Sequence, residues 1–398
     1  MARLAYAVLW LYVFTIPWEN VLLIPGVGTL SRYVGILAAV VTLAYVVTSG
    51  HLRLHWAHLV GLGFVLLAML SYFWSIAPQD TLERVLQFGL LWIFFWALFV
   101  VLKDEAPVRR ILAAYVLGAY VAAGNTIYHF LSGSEVVFQR YAAANFDPGD
   151  LSFVLALGIP LAWYLALRET RSRLVWLYWL YPLVALGVVL LTAARAGLLG
   201  VVVGLLFVIL TLPRASWQIK GLVGVFAALA ITLLPVLVPP ESISRLATLA
   251  EEVSTGTLND RTHIWAAGWQ VLGDQPLLGT GAGTFGVSLE THPWFRQWVA
   301  PHNLFVGIAA EMGVVGLVLL LLLLAGVVFS IWQMTGLERM LWGAVFIILL
   351  LALMAQNWEW RKQTWFVLGI ILAHYAALGQ AGQMALGRLR GKTSRGTA

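Results

Sequence analysis

Three polar side chains stand where they could carry out chemistry: Arg195, Arg261 and His302. A guanidinium presents a planar fork of donors that can bind a phosphate group bidentately. An imidazole titrates near neutral pH and can accept the proton of an attacking hydroxyl. The residue types therefore suit a reaction in which an anionic group is held in place and a hydroxyl is deprotonated.

Two of these residues have a structural interpretation that must be weighed first. Arg195 could be an arginine at a helix end that extends its head group towards water. However, its turn, residues 191–197, is too short to reach far into water. His302 stands between Pro301 and Asn303, where a histidine could simply cover the start of the next apolar run. Residue type alone leaves both interpretations open.

Arg261 is the weakest of the three signals when taken alone. It follows Asn259-Asp260, which predicts an N-cap for an amphipathic helix over 261–273. An arginine in that position can pair with a nearby acid as readily as it can bind a ligand. Its value as a candidate depends on what the fold places beside it.

Three further residues are candidates for supporting roles: Glu311, Arg140 and Asn303. Glu311 follows His302 by nine residues within an apolar run, and an intramembrane carboxylate is functional by default. Arg140 belongs to a polar loop, 132–150, that also contains Asp147 and Asp150. Solvated loop charges remain the alternative for this group.

Metal and nucleotide chemistry are not predicted. The histidines show no ligand spacing with carboxylates, and the chain has no cysteine, which excludes thiolate ligands, disulfides and thiol catalysis. Residues 281–286 match a dinucleotide fingerprint by letter but lack the strand–turn–helix context that the fingerprint needs. We interpret them as a flexible turn and expect neither a cofactor nor a metal.

The elements that must position these side chains are membrane helices. Apolar residues make up 61% of the 398 residues, charged residues only 11%, and the mean hydropathy is +0.88. That balance predicts an all-α polytopic membrane protein, because a β-barrel would show short alternating segments instead of long apolar runs. The runs long enough to span a bilayer number about twelve: 3–23, 30–48, 57–75, 84–102, 109–131, 151–168, 174–193, 196–213, 219–238, 303–333, 339–356 and 363–382.

The tenth run is too long for one simple span. We predict a short helix over 303–312 that enters from the surface, a break at Gly313, and the span proper beyond it. The first run lacks a small-residue cleavage site, which favours a retained anchor over a removed signal peptide.

The charges predict how the chain is oriented. With twelve spans, 15 of the 24 basic residues but only four of the 18 acidic residues lie on the side of the termini. By the positive-inside rule both termini are cytoplasmic, and the basic residues orient the chain instead of binding nucleic acid. We therefore expect one membrane domain, 1–398, with a large extracytoplasmic loop, 239–302, and a basic cytoplasmic tail, 385–398.

Seven tryptophans fall near the predicted outer span ends, as an interfacial aromatic belt would place them: Trp18, Trp74, Trp294, Trp298, Trp358, Trp360 and Trp365.

Five segments in order resemble the bacterial O-antigen ligase and O-antigen polymerase superfamily over nearly the whole chain. They are 70–75 with Pro78, 191–195, 259–261 with Ile264-Trp265, 276–285, and His302-Asn303 leading to 311–313 and Gly316. Each is degenerate, but their order around one large outer loop is fairly specific. The chain has Ala194 where that family often has serine, and Asp147-Pro148-Gly149 where Asp-Pro-Asn is common.

The resemblance implies a fold related to the C-type glycosyltransferases, in the bacterial inner membrane, with a periplasmic active site. It implies transfer of a glycan from undecaprenyl diphosphate to an acceptor hydroxyl, with Arg195 and Arg261 on the donor diphosphate and His302 as general base. Two guanidiniums can stabilise the leaving diphosphate without a metal, and direct displacement inverts the anomeric carbon. We expect metal-independent, inverting transfer.

The acceptor is the open point. We favour a ligase that uses lipid A–core; a polymerase that uses a second lipid-linked glycan is the alternative, followed by a protein O-oligosaccharyltransferase. A transporter without covalent chemistry would favour ionisable residues near the midplane and repeated halves. Here the candidate residues cluster at one face, and the chain shows no internal repeat.

Overall fold

The computed structural model describes residues 1–50, 52–134, 140–169, 173, 175–237, 240, 244, 261–293 and 295–393. We number the helices in chain order. They are α1 (Ala2–Thr15), α2 (Leu30–Ser49), α3 (Trp56–Leu70), α4 (Pro78–Val101), α5 (Glu105–Leu131), α6 (Pro148–Arg168), α7 (Val175–Thr192), α8 (Arg195–Thr211), α9 (Trp217–Leu237), α10 (Arg261–Asp274), α11 (Phe285–Glu290), α12 (Leu304–Gln333), α13 (Gly336–Ala355) and α14 (Lys362–Thr393). Three 3-10 turns (Ile16–Trp18, Ser71–Phe73 and Leu212–Arg214) extend α1, α3 and α8, and a small hairpin pairs β1 (Leu23–Ile24) with β2 (Gly28–Thr29).

The predicted class, an all-α polytopic membrane protein, is confirmed. Among the described residues, ten helices are long and apolar enough to cross a membrane, compared with the twelve spans predicted. The other two predicted spans, the first and the ninth, coincide with the shorter apolar helices Ala2–Trp18 and Trp217–Leu229.

Helix α6 is the central element of the bundle. In its most apolar stretch, 94% of the residues are buried, and it packs on α5, α7, α8 and α13. Close packing is possible because small residues lie at the crossings: a Cβ on Gly197 of α8 would lie 1.8 Å from the Ser152 hydroxyl of α6. The start of α8 is therefore held against the first turns of α6.

Helix α12 contains the predicted break. Gly313 adopts φ 64° and ψ −166°, so the helix is interrupted after the segment that begins at Leu304, as the sequence predicted. The break lets a neighbouring turn reach the backbone: the Val314 N–H donates to the Pro276 carbonyl at 2.8 Å, and the Gly281 N–H donates to the Glu311 carbonyl at 2.8 Å. The turn after Pro276 is thus fixed by hydrogen bonds, and the expectation of a flexible turn is wrong.

This break gives a first testable prediction. A Cβ on Gly313 would lie 2.3 Å from the Leu277 carbonyl carbon, and its positive φ disfavours any side chain. We expect Gly313→Ala to lower the free energy of unfolding by about 2–4 kcal/mol through backbone strain and overpacking. Thermal unfolding of the detergent-solubilised protein measures this.

The matched control is Gly343→Ala in α13. A Cβ there meets nothing within 4 Å, and Gly343 is not among the glycines with positive φ. Its melting temperature should stay equal or rise slightly, because alanine favours a helix. Equal melting temperatures for the two variants would contradict the role assigned to the break.

The loops that the sequence placed on one side of the membrane do meet in space. Lys362 pairs with Glu19, Arg84 pairs with Glu359 at 3.0 Å, and the Trp74 indole donates to the Leu278 carbonyl at 3.3 Å. We call this end of the bundle the site face. It includes the segments around 19–29, 74–78, 140–148, 193–195, 261–293, 295–303 and 356–362.

Candidate active site

His302 lies at the site face in a conformation that its neighbours impose. Its φ is +47°, in the left-handed region that residues other than glycine rarely adopt. Its backbone N–H donates to the Asn357 side-chain oxygen at 2.8 Å, and the adjacent Pro301 carbonyl accepts from the Trp265 indole at 3.0 Å. The side chain is half-buried, and its Nδ1 has no hydrogen-bond partner among the described residues. A buried ring nitrogen in this state is suited to a bound hydroxyl or water.

Two charged residues act on the His302 imidazole from opposite directions. Burial lowers the pKa of His302 below its usual value, the charge of Arg261 lowers the pKa further, and the carboxylate of Asp147 raises it. The net lowering keeps the imidazole neutral at pH 7, which is the form that accepts a proton. The fold therefore brings Arg261 and Asp147 to His302 from segments far apart in the chain.

Arg261 is the first residue of α10, which extends over Arg261–Asp274 and confirms the predicted helix. Its predicted N-cap, Asn259-Asp260, lies outside the described residues. The buried face of α10 contains Ile264, Ala267, Gly268 and Val271, and a Cβ on Gly268 would lie 2.6 Å from Val306, whereas Trp269 is exposed. Because Gly268 permits this contact, α10 packs directly on α12 and holds Arg261 beside His302.

Arg195 is the first residue of α8, directly after a sharp turn at Ala193, where φ is 47°. The N-cap is Ala194, which provides no side-chain cap for the N–H groups of the first turn. A helix N-terminus favours anions through these groups and through its dipole, and the guanidinium adds a full positive charge. The combination suits a phosphate group.

Arg140 lies beside the same turn. Its Nε donates to the Thr192 carbonyl at 2.9 Å, and the Tyr141 N–H donates to the Leu191 carbonyl at 3.1 Å. The predicted supporting residue is thus placed next to Arg195, with part of its guanidinium used to hold the turn.

The first turns of α6 connect the surroundings of His302 with the turn that carries Arg195. Asp147 is its N-cap and accepts from the N–H groups of Gly149 and Asp150 at 2.7 and 3.0 Å, so its carboxylate is fixed near His302. Ser152, one turn later, contacts α8 at Gly197, two residues after Arg195. The same short stretch of backbone therefore positions Asp147 near His302 at one end and supports the turn before Arg195 at the other.

The other two predicted supporting residues hold the backbone. Asn303 caps α12, with its side-chain oxygen accepting from the N–H groups of Phe305 and Val306 at 2.9 and 3.3 Å. The Glu311 carboxylate accepts from the Gly283 N–H at 2.8 Å and the Phe285 N–H at 3.1 Å. Both residues position the segments that flank His302.

Sequence reasoning missed the segment 356–362 as part of the site. Asn357 holds the His302 backbone, the Trp358 indole donates to Asp150 at 2.9 Å, and Arg361 pairs with the same carboxylate. The predicted aromatic belt is wrong here, since Trp358 and Trp365 are only 1% and 3% exposed. A dense polar-aromatic run between two spans was the available signal.

Comparison with known proteins shows which family the chain resembles. The O-antigen ligase family matches residues 180–321, a range that contains Arg195, Arg261, His302 and Glu311. The chain is also 27% identical to an O-antigen ligase of Pseudomonas aeruginosa over 268 residues, which is 65% of this chain. Both comparisons support similarity to the O-antigen ligase superfamily. The match spans 60% of the length of the Pseudomonas aeruginosa protein.

This similarity agrees with the ten helices that are long and apolar enough to cross a membrane among the described residues. The predicted resemblance to the superfamily is confirmed.

Proposed function

We propose that the protein is an O-antigen ligase, which transfers a polysaccharide from undecaprenyl diphosphate to a sugar hydroxyl of lipid A–core at the periplasmic face of the bacterial inner membrane. The observation that carries the proposal is the half-buried His302 at the site face, whose backbone N–H is held by Asn357 and whose imidazole lies within electrostatic reach of Arg261 and Asp147. A base poised beside a fixed cation is the arrangement that attack on a lipid diphosphate requires.

The step balances without a further reactant. The acceptor hydroxyl oxygen bonds to the anomeric carbon of the donor sugar while its proton passes to His302. The bond between that carbon and the phosphate oxygen breaks, and its electron pair leaves with the diphosphate. Arg195 and Arg261 stabilise the charge that develops on the leaving oxygen. Because the attack is direct, the anomeric configuration inverts.

The ligase proposal is tested by reconstitution with separate acceptors. Purified protein in proteoliposomes receives an undecaprenyl-diphosphate-linked glycan with lipid A–core, with a second lipid-linked glycan, or with an acceptor protein, each in EDTA. We expect a lipid A–core conjugate and released undecaprenyl diphosphate. A lengthened lipid-linked glycan would show that the protein is a polymerase and not a ligase. A glycosylated protein would show that it is a protein transferase. Absence of all three products would overturn the transferase proposal.

The wild-type enzyme should show a characteristic acid limit. Transfer needs the neutral imidazole, so kcat/KM falls as the pH drops through the pKa of His302. Because burial and Arg261 lower this pKa, the limb should lie below pH 6.5, the usual histidine value. A pH–rate profile with the midpoint above 6.5 would contradict the assignment.

A further inference from the structure

A cavity of about 490 Å³ opens at the site face, away from Arg195. It is lined by α2 and α4, by the end of α1, and by Trp360, Arg361 and Lys362. Arg195 belongs to α8, which packs on α6, α7 and α13, whereas α2 packs on α1 and α4. The cavity and the arginine turn therefore lie on different flanks of the bundle.

The residues that line the cavity are polar at its mouth and more apolar deeper along the membrane normal. Asn20, Arg32 and Lys362 lie near the helix ends that form the mouth. Ile36, Leu86 and Leu90 lie deeper and are at least 39% exposed. At 1.5 Å per residue, Leu90 lies roughly 18 Å along α4 from Pro78. A polar mouth above an apolar, laterally exposed wall is the shape that fits a lipid with its head group at the interface.

The polar groups of the lining indicate which kind of lipid head group fits. Lys362 pairs with Glu19 and Arg361 with Asp150, but the exposed Arg32 makes no ion pair with any described residue. The planar fork of donors on the Arg32 guanidinium suits a phosphate.

Other lining groups suit sugar hydroxyls. Glu83 and Gln87 are exposed on α4, and Asn20 is half-buried beside them in the cavity wall. Carboxylate and amide side chains accept hydrogen bonds from hydroxyl groups and the amides also donate them. A head group that carries both phosphate and sugar hydroxyls can use the guanidinium, carboxylate and amide groups of this lining together.

The cavity is connected to His302 through one short segment. Arg361 and Trp360 line the cavity, and Asn357, four residues earlier, accepts from the His302 N–H. Four extended residues span at most roughly 14 Å. The outer sugars of a glycolipid anchored in the cavity can therefore reach the imidazole.

We propose that this cavity is the docking site of the acceptor: a phosphorylated glycolipid that enters laterally between α2 and α4. Its identity as acceptor rests on the proposed ligase function, but the site itself is defined by α2, α4 and the 360–362 segment. Donor and acceptor would then approach His302 from different flanks, so that one lipid need not leave before the other binds.

Binding without donor tests the site independently of transfer. Purified protein in detergent is incubated with labelled lipid A–core, with its dephosphorylated form, with phosphatidylethanolamine or with undecaprenyl diphosphate. We expect Arg32→Ala to weaken the binding of lipid A–core roughly tenfold by removing a charge-assisted contact, and to leave the binding of undecaprenyl diphosphate unchanged. The dephosphorylated lipid should bind more weakly to the wild type, and Arg32→Ala should not change its affinity. Leu86→Trp, which fills the apolar wall, should weaken both forms.

Two controls match these variants. Arg3→Ala removes the same charge at the opposite end of α1, and Leu206→Trp adds the same bulk on α8, where Leu206 is 50% exposed. Neither should change binding. Wild-type affinity for lipid A–core in both Arg32→Ala and Leu86→Trp would overturn the cavity assignment. So would a larger effect of these two variants on the binding of undecaprenyl diphosphate or phosphatidylethanolamine than on the binding of lipid A–core.

Transfer kinetics separate this inference from the proposed function. Arg32→Ala should raise the KM for lipid A–core and leave the KM for the donor unchanged. If lipid A–core binding depends on Arg32 but the protein shows no transfer activity, the ligase proposal is wrong and the lipid-site proposal stands. If transfer is active but the KM for lipid A–core is the same in Arg32→Ala and Leu86→Trp as in the wild type, the ligase proposal stands and the lipid-site proposal is wrong.

Discussion

Replacing His302 by alanine or asparagine is expected to reduce kcat for glycan transfer by roughly 10²–10⁴-fold, the usual contribution of a positioned general base. In the proposed mechanism the neutral imidazole accepts the hydroxyl proton, which neither replacement can do. Two variants are needed because φ is +47° at this position. Asparagine tolerates left-handed backbone better than alanine does, so His302→Asn separates lost chemistry from lost folding. Initial rates with saturating donor and lipid A–core measure the effect.

The control for this prediction is His263→Ala on α10. His263 is exposed and lies two residues after Arg261, so the variant removes an imidazole from the site face and leaves the proposed base unchanged. Its kcat should match the wild type, and donor binding should persist in both His302 variants. Undiminished kcat in His302→Asn would remove this residue from the role of base.

Replacing Arg195 by alanine should reduce kcat/KM for the donor by roughly 10²–10³-fold, the scale on which single groups stabilise developing charge. Arg195 begins α8 at a turn that lacks a side-chain cap, and in the proposed mechanism its guanidinium and the N–H groups of this helix N-terminus bind the donor diphosphate. Arg195→Lys should recover little, because an ammonium keeps the charge but loses the bidentate fork. Steady-state kinetics against donor concentration distinguish these outcomes.

Arg296→Lys is the matched substitution for this test. Arg296 is exposed in the segment before His302 and has no role in the proposed chemistry. It should leave donor kinetics unchanged. Full activity in Arg195→Lys would show that charge alone suffices, and full activity in Arg195→Ala would exclude the residue from donor binding.

Local signals in the sequence predicted much of the scaffold. Apolar runs of sufficient length identified the ten helices that can span a membrane, because a helix in lipid must satisfy its own backbone groups. Gly313 marked the break in α12 because it divides a run that is too long for one span. The three central candidates were found because polar residues next to apolar runs are rare and conspicuous.

What the sequence could not predict depends on contacts between distant segments. Trp358 meets Asp150 across 208 positions, and Lys362 meets Glu19 across 343. A tryptophan near a span end is typical of an interfacial belt, and only the packing reveals that Trp358 faces inwards. The place of Asp147 beside His302 likewise follows from how α6 and α12 are arranged in the bundle.

The central claim is that transfer depends on a neutral His302 whose pKa is lowered by burial and by the charge of Arg261 and raised by Asp147. The most direct measurement is the acid limb of the pH–rate profile in Asp147→Asn and Arg261→Gln. Asparagine can still cap α6, so Asp147→Asn removes the charge that raises the pKa of His302. Arg261→Gln removes a charge that lowers it.

The two substitutions should therefore move the acid limb in opposite directions. With Asp147→Asn the pKa of His302 falls and activity persists to lower pH than in the wild type. With Arg261→Gln the pKa rises and the remaining activity is lost at higher pH. An acid limb that stays at the wild-type position in both variants, or moves the same way in both, would contradict His302 as the base.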